Sequence, residues 1–385
     1  MHLDHAHPLG VTEEHEMLRT QVRRFVEREV IPHADSWEHD GETPRAVIRR
    51  MGELGLLGMR FPEAYGGADA DTVASVVFAE ELGRSTYGGF AITILTQTDT
   101  ASPPIAAAGT AAQKARYLPA IASGECLVAI AMTEPDVGSD IAALRTRAVR
   151  TGEDWVLDGA KTFITNGVNA DLYVVAARTD PTAKPSHGVS LFLVDKGTPG
   201  LSVERRLDKM GWKSSDTAQL SFEGCRVPAS AMLGEPGRGF AALMKNVQNE
   251  RLVLAAQALG ESQAAIAHTL GYTRLRKAFG ATLWDKQAIR QRLAMLAARV
   301  ESARYFVYGV AALDARGVDC VKEVSMIKAL CGELVNEVMD DCVQFHGGSG
   351  YMHGTPVERM FRDARVHAIG GGATEIMLEE VAKRL

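Results

Sequence analysis

The run Gly239-Phe240-Ala241-Ala242-Leu243-Met244-Lys245-Asn246-Val247-Gln248-Asn249-Glu250-Arg251-Leu252-Val253-Leu254-Ala255-Ala256 opens a long helical pattern. At 3.6 residues per turn, Leu243, Val247 and Leu254 share one stripe. Glu250, three residues after Val247 and four before Leu254, falls inside it. A carboxylate on the face meant for burial loses the hydration of its charged form, so its pKa is expected to rise toward that of a general base working near neutral pH. The same periodicity fits a structural ion pair with Arg251 or a neighbouring helix. By periodicity alone the ion pair is the default, because buried charges are usually paired.

Outward from this run, helical periodicity extends over 240–276, 286–316 and 321–346, with breaks near Phe279-Gly280 and Gly317. Helices of that length bury their faces against one another, so residues 235–385 are expected to form an antiparallel bundle. Upstream, residues 1–124 carry helical signals at 13–30 (before Pro32), 45–57 (before Gly58), 72–82 (before Gly83) and 110–122 (before Gly124), which predict an all-helical first domain. Between them, residues 125–234 change texture. Short β-rich runs at 127–131, 154–157, 172–177, 189–194 and 219–222, separated by Gly, Pro, Asn and Asp, predict a small β domain.

The bulk numbers agree with a multidomain soluble chain: 385 residues exceed one ordinary core, and 46% apolar with 23% charged residues is ordinary for a globular protein. A net charge of -6 gives no reason to expect nucleic acid or an anionic membrane, and no apolar run is long enough to span a bilayer. Five cysteines (Cys126, Cys225, Cys320, Cys331, Cys342) without a CxxC pair fit reduced thiols in the cytoplasm, and the N-terminus shows no signal-peptide pattern. His2, His5 and His7 could catch a metal, but a frayed polar tail is the better reading, and no metal site is expected.

Three glycine-rich stretches invite a nucleotide reading. Gly237-Arg238-Gly239-Phe240-Ala241-Ala242 matches a GxGxxA fingerprint and opens a helix, yet it follows Gly234-Glu235-Pro236 rather than a parallel strand, which excludes a Rossmann site. Gly347-Gly348-Ser349-Gly350 and Gly370-Gly371-Gly372 match neither that fingerprint nor a phosphate loop. Each alone reads as a helix stop or a close backbone approach.

Their neighbours change this reading. Met132-Thr133-Glu134-Pro135-Asp136-Val137-Gly138-Ser139-Asp140, Lys161-Thr162-Phe163-Ile164-Thr165-Asn166-Gly167, Arg276-Lys277-Ala278-Phe279-Gly280, Gln344-Phe345-His346-Gly347-Gly348-Ser349-Gly350-Tyr351 and Arg362-Asp363-Ala364-Arg365 follow in this order. Lys209-Met210-Gly211-Trp212 and Val227-Pro228 add to the set. In these motifs and their order the chain resembles the acyl-CoA dehydrogenase family over essentially its whole length. The resemblance implies an α+β multidomain fold with an N-terminal α-helical domain, a middle β-barrel-like domain and a C-terminal antiparallel four-helix bundle. It implies FAD between the β domain and the bundle, with Met132, Thr133, Ser139, Phe163 and Thr165 at the flavin-contact positions and Thr374 and Glu375 beside them. Arg276, Phe279, Gln287, Gln344 and Gly348 match residues that reach the FAD of a neighbouring subunit, so a homotetramer built as a dimer of dimers is expected.

Physically, the hydroxyl and N–H of Thr165 suit flavin N5, Phe163 suits a ring face where many relatives carry Trp, and Arg276 suits a pyrophosphate through its bidentate fork. Without the resemblance, the threonines are residues that simply favour strands. Ala278 replaces a polar residue common in the family, which removes one cross-subunit hydrogen bond.

The departure from pattern concerns the base. Many members carry the catalytic carboxylate as the Glu of a Tyr-Glu-Gly-Thr run in the C-terminal loop, where this chain has Gly371 within Ile369-Gly370-Gly371-Gly372-Ala373-Thr374-Glu375-Ile376. A smaller set, similar to the isovaleryl-CoA and long-chain branches, carries it before the Arg of a Glu-Arg-Leu-Val-Leu-Ala run, here Glu250 to Ala255. Periodicity and resemblance thus single out the same residue, with Glu375 as the rival carboxylate. The implied reaction is α,β-dehydrogenation of an acyl-CoA to a trans-enoyl-CoA. Glu250 takes the α-proton, a ribityl hydroxyl and the Gly371 N–H hold the thioester oxygen, and flavin N5 accepts the hydride. Electrons then pass to an electron-transferring flavoprotein. Ser139, Gln248 and Arg251 match positions near the CoA arm, although several relatives have Asp in place of Gln248.

Two other readings remain: an oxygen-using acyl-CoA oxidase or flavin monooxygenase on the same fold, and a non-catalytic acyl-CoA-binding subunit of a mixed oligomer. Oxidases tend to be longer, and hydroxylating relatives need no base. Glycine at position 371 is expected to leave room beside the reacting carbons, which favours branched or medium-to-long acyl-CoA.

Overall fold

The computed structural model describes residues 10–385, so the histidines at positions 2, 5 and 7 lie outside the described residues. Helix α1 (Glu13–Phe25) starts at a Thr12–His15 capping box, with acidic residues in its first turn and arginines in its last, and continues as a π-helical turn to Val30. After α2 (Ala34–Asp40), α3 (Arg45–Glu53) stops earlier than expected because Gly55 takes a positive φ of 73°. Asp71 caps α4 (Thr72–Gly83). Then α5 (Gly88–Leu95), a π-helical stretch Thr96–Ala101 and α6 (Pro103–Ala108) lead to α7 (Ala111–Ala122). Every residue of α4 and α5 is buried.

The middle region holds β1 (Val128–Ala131), β2 (Arg147–Thr151), β3 (Asp154–Thr165), β4 (Leu172–Arg178), β5 (Val189–Asp195), β6 (Leu201–Arg206), β7 (Thr217–Pro228) and β8 (Met232–Leu233). Strand order is β6-β7-β3-β2-β4-β5-β8, with β1 parallel to β4. The halves meet through one residue pair, Arg147 with Arg178. They nevertheless share one interior, in which Leu157, Ile164, Leu220 and Phe222 face Tyr173, Val175, Phe192 and Val194. The domain is therefore barrel-like in its core while its strands form an open path. Alternate residues of β4, Leu172, Val174 and Ala176, point the other way into a second core with Ile105, Leu118, Ile121 and Leu243, which seats the sheet on the first domain and on the next helix.

That helix, α8 (Gly239–Leu275), runs 37 residues without a break. A hairpin of β9 (Lys277–Ala278) and β10 (Ala281–Thr282) follows, then α9 (Gln287–Asp314), α10 (Val321–His346), α11 (Gly348–Tyr351), α12 (Pro356–Ala364) and α13 (Thr374–Ala382). α8, α9 and α10 form the bundle, with α12 and α13 laid on α10. α4 joins it at a point where backbones touch: a Cβ on Gly83 would lie 2.2 Å from the Gln257 carbonyl oxygen, and one on Gly260 2.0 Å from that of Glu80. Beside this contact Glu80 accepts bonds from Arg19 (2.8 Å), Arg304 (2.6 Å), Gln263 (3.0 Å) and Tyr308, which ties α1, α4, α8 and α9 together. All five cysteines are free thiols. No helix among the described residues is long and apolar enough to cross a membrane.

Candidate active site

Glu250 lies about three turns into α8. It keeps part of its surface open, and its carboxylate has no hydrogen-bond or ion-pair partner among the described residues. Desolvation pushes its pKa up to about 7 against the opposing pull of Arg251 and Lys328. The ion-pair alternative is not formed, because Arg251 turns to the C-terminal loop. Its Nε is buried without a partner, and a Cβ on Gly372 would lie 3.6 Å from it.

That loop runs from His367 to the start of α13, with Gly371 at φ 64° and Gly372 at φ 107°. The Gly371 N–H has no hydrogen-bond partner among the described residues. Lys328 of α10, 2% exposed, donates from Nζ to the carbonyls of His367 (2.6 Å) and Gly372 (3.0 Å). Burial, reinforced by Arg251 and opposed by Glu250, pushes its pKa down to about 8.

Leu254 reaches toward the room foreseen beside Gly371, since a Cβ at that position would lie 2.2 Å from Leu254 Cδ1. Leu254 stands one helical turn after Glu250 and so shares its face, and its side chain occupies the volume that the glycine vacates.

A second cluster forms where β1 ends beside β3. The Thr162 N–H donates to Thr133 O (2.9 Å), and fully buried Lys161 donates from Nζ to Met132 O (2.9 Å) and to Glu134 Oε1 (2.9 Å). Glu134 in turn accepts the N–H groups of Arg145 and Thr146. Burial lowers the Lys161 pKa to about 8 although Glu134 opposes it. This pair fixes Met132 and Thr133 next to Phe163 and Thr165. Phe163 is 69% exposed at φ 58°, and Asn166 follows at φ 64°. Such left-handed backbone in bulky residues is sparsely populated and collects at ligand sites. Asn166 Nδ2 donates to Thr93 O, while Asn166 Oδ1 and Thr93 Oγ1 are buried without partners. An exposed ring, adjacent threonine hydroxyls and unmatched polar atoms fit a flat heteroaromatic group with polar edges, as a flavin is. Ser139 lies in the exposed loop beyond. Gln248, two residues before Glu250, points to another side of α8.

Three family models cover nearly the whole chain: acyl-CoA dehydrogenase N-terminal domain over 12–125, middle domain over 129–225 and C-terminal domain over 237–385. The mouse protein named long-chain specific acyl-CoA dehydrogenase, mitochondrial, is 42% identical over 374 residues, 97% of this chain and 86% of that one. The chain belongs to the acyl-CoA dehydrogenase family. These enzymes are flavoproteins and oxidoreductases acting on CH–CH groups. The solved acyl-CoA dehydrogenase of Geobacillus kaustophilus matches with TM-score 0.94 at 41% identity, covering 98% of this chain and 99% of its own. A glutaryl-CoA dehydrogenase from Mycobacterium smegmatis, solved in complex with FADH2, matches with TM-score 0.91 at 28% identity, covering 97% and 95%.

Set against this acyl-CoA dehydrogenase frame, the expected site residues fall into separate groups. Glu250, Arg251, Gly371 and half-turned Thr374, whose hydroxyl reaches Ala368 O at 3.5 Å, gather at the loop, with Glu375 exposed in the first turn of α13. Met132, Thr133, Phe163 and Thr165 gather on the β domain. Arg276, Phe279, Gln287, Gln344 and Gly348 are all exposed at the far end of the bundle, and Phe279, 97% exposed, tips the hairpin. From position 250 to position 276 the helical rise amounts to about 40 Å, so one chain does not bring these five to Glu250. Sequence reasoning missed Lys328, Lys161, Glu134 and Leu254. For Lys328 a signal existed, since it interrupts the apolar stripe Val324, Ile327, Cys331, Val335 of α10, just as Glu250 interrupts that of α8.

Proposed function

We propose that the protein is an FAD-dependent acyl-CoA dehydrogenase with Glu250 as its base. The observation that carries this reading is a carboxylate without a partner, with its pKa raised to about 7, beside a glycine loop that presents an unpaired N–H. A carboxylate held at that pKa is substantially ionised at neutral pH and is still basic enough to accept a proton. The α-C–H of a thioester is a far weaker acid. The charge that develops on the carbonyl oxygen therefore needs a donor, and the Gly371 N–H supplies one without a side chain. FAD, when bound, supplies the acceptor for the β-hydride. Met132, Thr133, Phe163 and Thr165 would hold it on the β domain, with Ser139, Thr374 and Glu375 at its edges.

The five exposed residues at the far end of the bundle serve a neighbouring copy in this reading, which supports a homotetramer arranged as a dimer of dimers. Gln248 and Arg251 stand nearer the CoA arm, and an electron-transferring flavoprotein takes the electrons. A branched or medium-to-long acyl-CoA is the expected substrate class, and the similarity to the mouse long-chain enzyme supports the longer chain.

Anaerobic titration of the purified yellow protein with acyl-CoAs of increasing length tests the proposal. Bleaching of the flavin absorbance is expected, faster with decanoyl-CoA and longer chains than with butyryl-CoA. A colourless protein, or one that no acyl-CoA bleaches, overturns the dehydrogenase reading. A profile that peaks at butyryl-CoA overturns the substrate class alone.

A further inference from the structure

No step above uses Lys328, yet an ammonium enclosed in a helical bundle is expensive to keep unless its donors are met. It bonds to no carboxylate among the described residues. Its two partners are the His367 and Gly372 carbonyls, which bracket the segment carrying Gly371. The groups facing Lys328 are Arg251 and Glu250 of α8 and the Cys331 thiol of its own helix, and those facing Glu250 are Arg251 and Lys328. Lys328 Cε would also lie 3.6 Å from a Cβ built on Gly371. One ammonium thus touches both ends of the loop and stands over its middle.

We propose that Lys328 is a positioning residue for dehydrogenation: its ammonium ties His367 to Gly372 so that the Gly371 N–H is held toward the thioester oxygen, and it keeps a positive charge beside Glu250. This rests on the reading of Glu250 as the base. Three consecutive glycines have wide backbone freedom, and a donor aimed at a developing oxyanion must be held to within a few tenths of an ångström before the reaction begins. Two charge-assisted bonds to carbonyls supply that restraint from the rigid middle of α10. The balance of the step is unchanged: the α-proton goes to Glu250, and the C–H electron pair moves toward the carbonyl oxygen that the loop faces.

The test uses the holoenzyme, the variants Lys328→Met and Lys328→Gln, and an acyl-CoA analogue with sulfur in place of the β-carbon. Its α-proton can leave but no hydride can follow, so the long-wavelength absorbance of the bound enolate reads deprotonation alone. Lys328→Met is expected to bind the analogue within about threefold of wild type. Its kcat should drop roughly 10- to 100-fold, somewhat less than removal of an oxyanion donor itself. The pH midpoint of enolate formation should rise by about one unit, since a lost positive charge disfavours both carboxylate and enolate. Kcat and midpoint near wild type, or weaker analogue binding with kcat kept, overturn the proposal. Should Lys328→Met fail to fold, Lys328→Gln, which can donate but carries no charge, decides by the midpoint alone: it should still rise, and a wild-type midpoint overturns the proposal. In parallel, an enolate band that persists in Glu250→Gln overturns the base assignment, an outcome distinct from either result at Lys328.

Discussion

Glu80 of α4 and Glu250 of α8 are enclosed carboxylates on two helices whose backbones touch, yet Glu80 accepts bonds from two arginines, a glutamine and a tyrosine while Glu250 accepts none among the described residues. Burial acts on both in the same direction. At Glu80, Arg304 and Arg19 outweigh it and hold the carboxyl down to about 2; at Glu250, the more loosely arranged Arg251 and Lys328 do not, and it rises to about 7. Burial alone therefore does not decide whether an enclosed carboxylate is ionised; in this pair the bonded arginines do.

The largest expected effect breaks the unpartnered side, where the base is proposed. Glu250→Gln keeps shape and cannot take a proton, so anaerobic single-turnover bleaching should slow by about 10²–10⁴-fold with flavin content and acyl-CoA affinity retained. Glu375→Gln is the matched control and should leave proton abstraction nearly untouched. If most of the rate survives in Glu250→Gln, the base lies elsewhere. Breaking the structural side comes next. Glu80→Ala removes the buried carboxylate shared by Arg19 and Arg304, leaving Arg19 to Glu16 and Glu81 and Arg304 to Glu301, and should destabilise the fold by about 3 kcal/mol in denaturant melts, with activity per folded molecule kept. A loss of activity without a loss of stability would reverse the roles assigned to the two glutamates.

The smallest effect sharpens the contrast through pH. The folded-state pKa of Glu250 lies above its ordinary value of 4.5, so its stabilising contribution is complete below pH 4.5 and is lost as pH rises through about 7. Glu250→Gln mimics the protonated form. Its melting temperature should gain on wild type between pH 4.5 and 7.5 and run parallel to it above. A gap that does not change with pH would mean that Glu250 is not held neutral by the fold.

The bundle was readable because its helices are amphipathic over many turns: α10 runs over the expected 321–346, and α8 and α9 end within a few residues of expectation. The segment from α5 through α6 was not readable. Gly88 to Leu95 is buried on all sides, and a helix without a wet face has no period to detect. β6 escaped for the opposite reason: Leu201–Arg206 is an exposed edge strand of mostly polar residues, with no alternation into a core. At the proposed site, Glu250 was singled out by its place in an apolar stripe, and Met132, Thr133, Phe163 and Thr165 by their motifs. Leu254 could not be, because an apolar residue in an apolar stripe says nothing about what its tip displaces. The Lys161–Glu134 pair was equally silent, since it forms only when β1 and β3 lie side by side.

The contact between Leu254 and Gly371 also bears on the history of the sequence. A side chain at position 371 would need both a left-handed backbone and the space that Leu254 Cδ1 holds, so a carboxylate there requires the leucine tip to swing aside. Trimming the leucine first opens a hole in a packed helix face, a change that typically destabilises by about 2–5 kcal/mol. Each route to a side chain at position 371 therefore carries a cost, in backbone strain or in packing. The two positions are coupled, and sequences that pair leucine at 254 with glycine at 371 are expected to keep both together through long divergence even while the rest of the loop drifts.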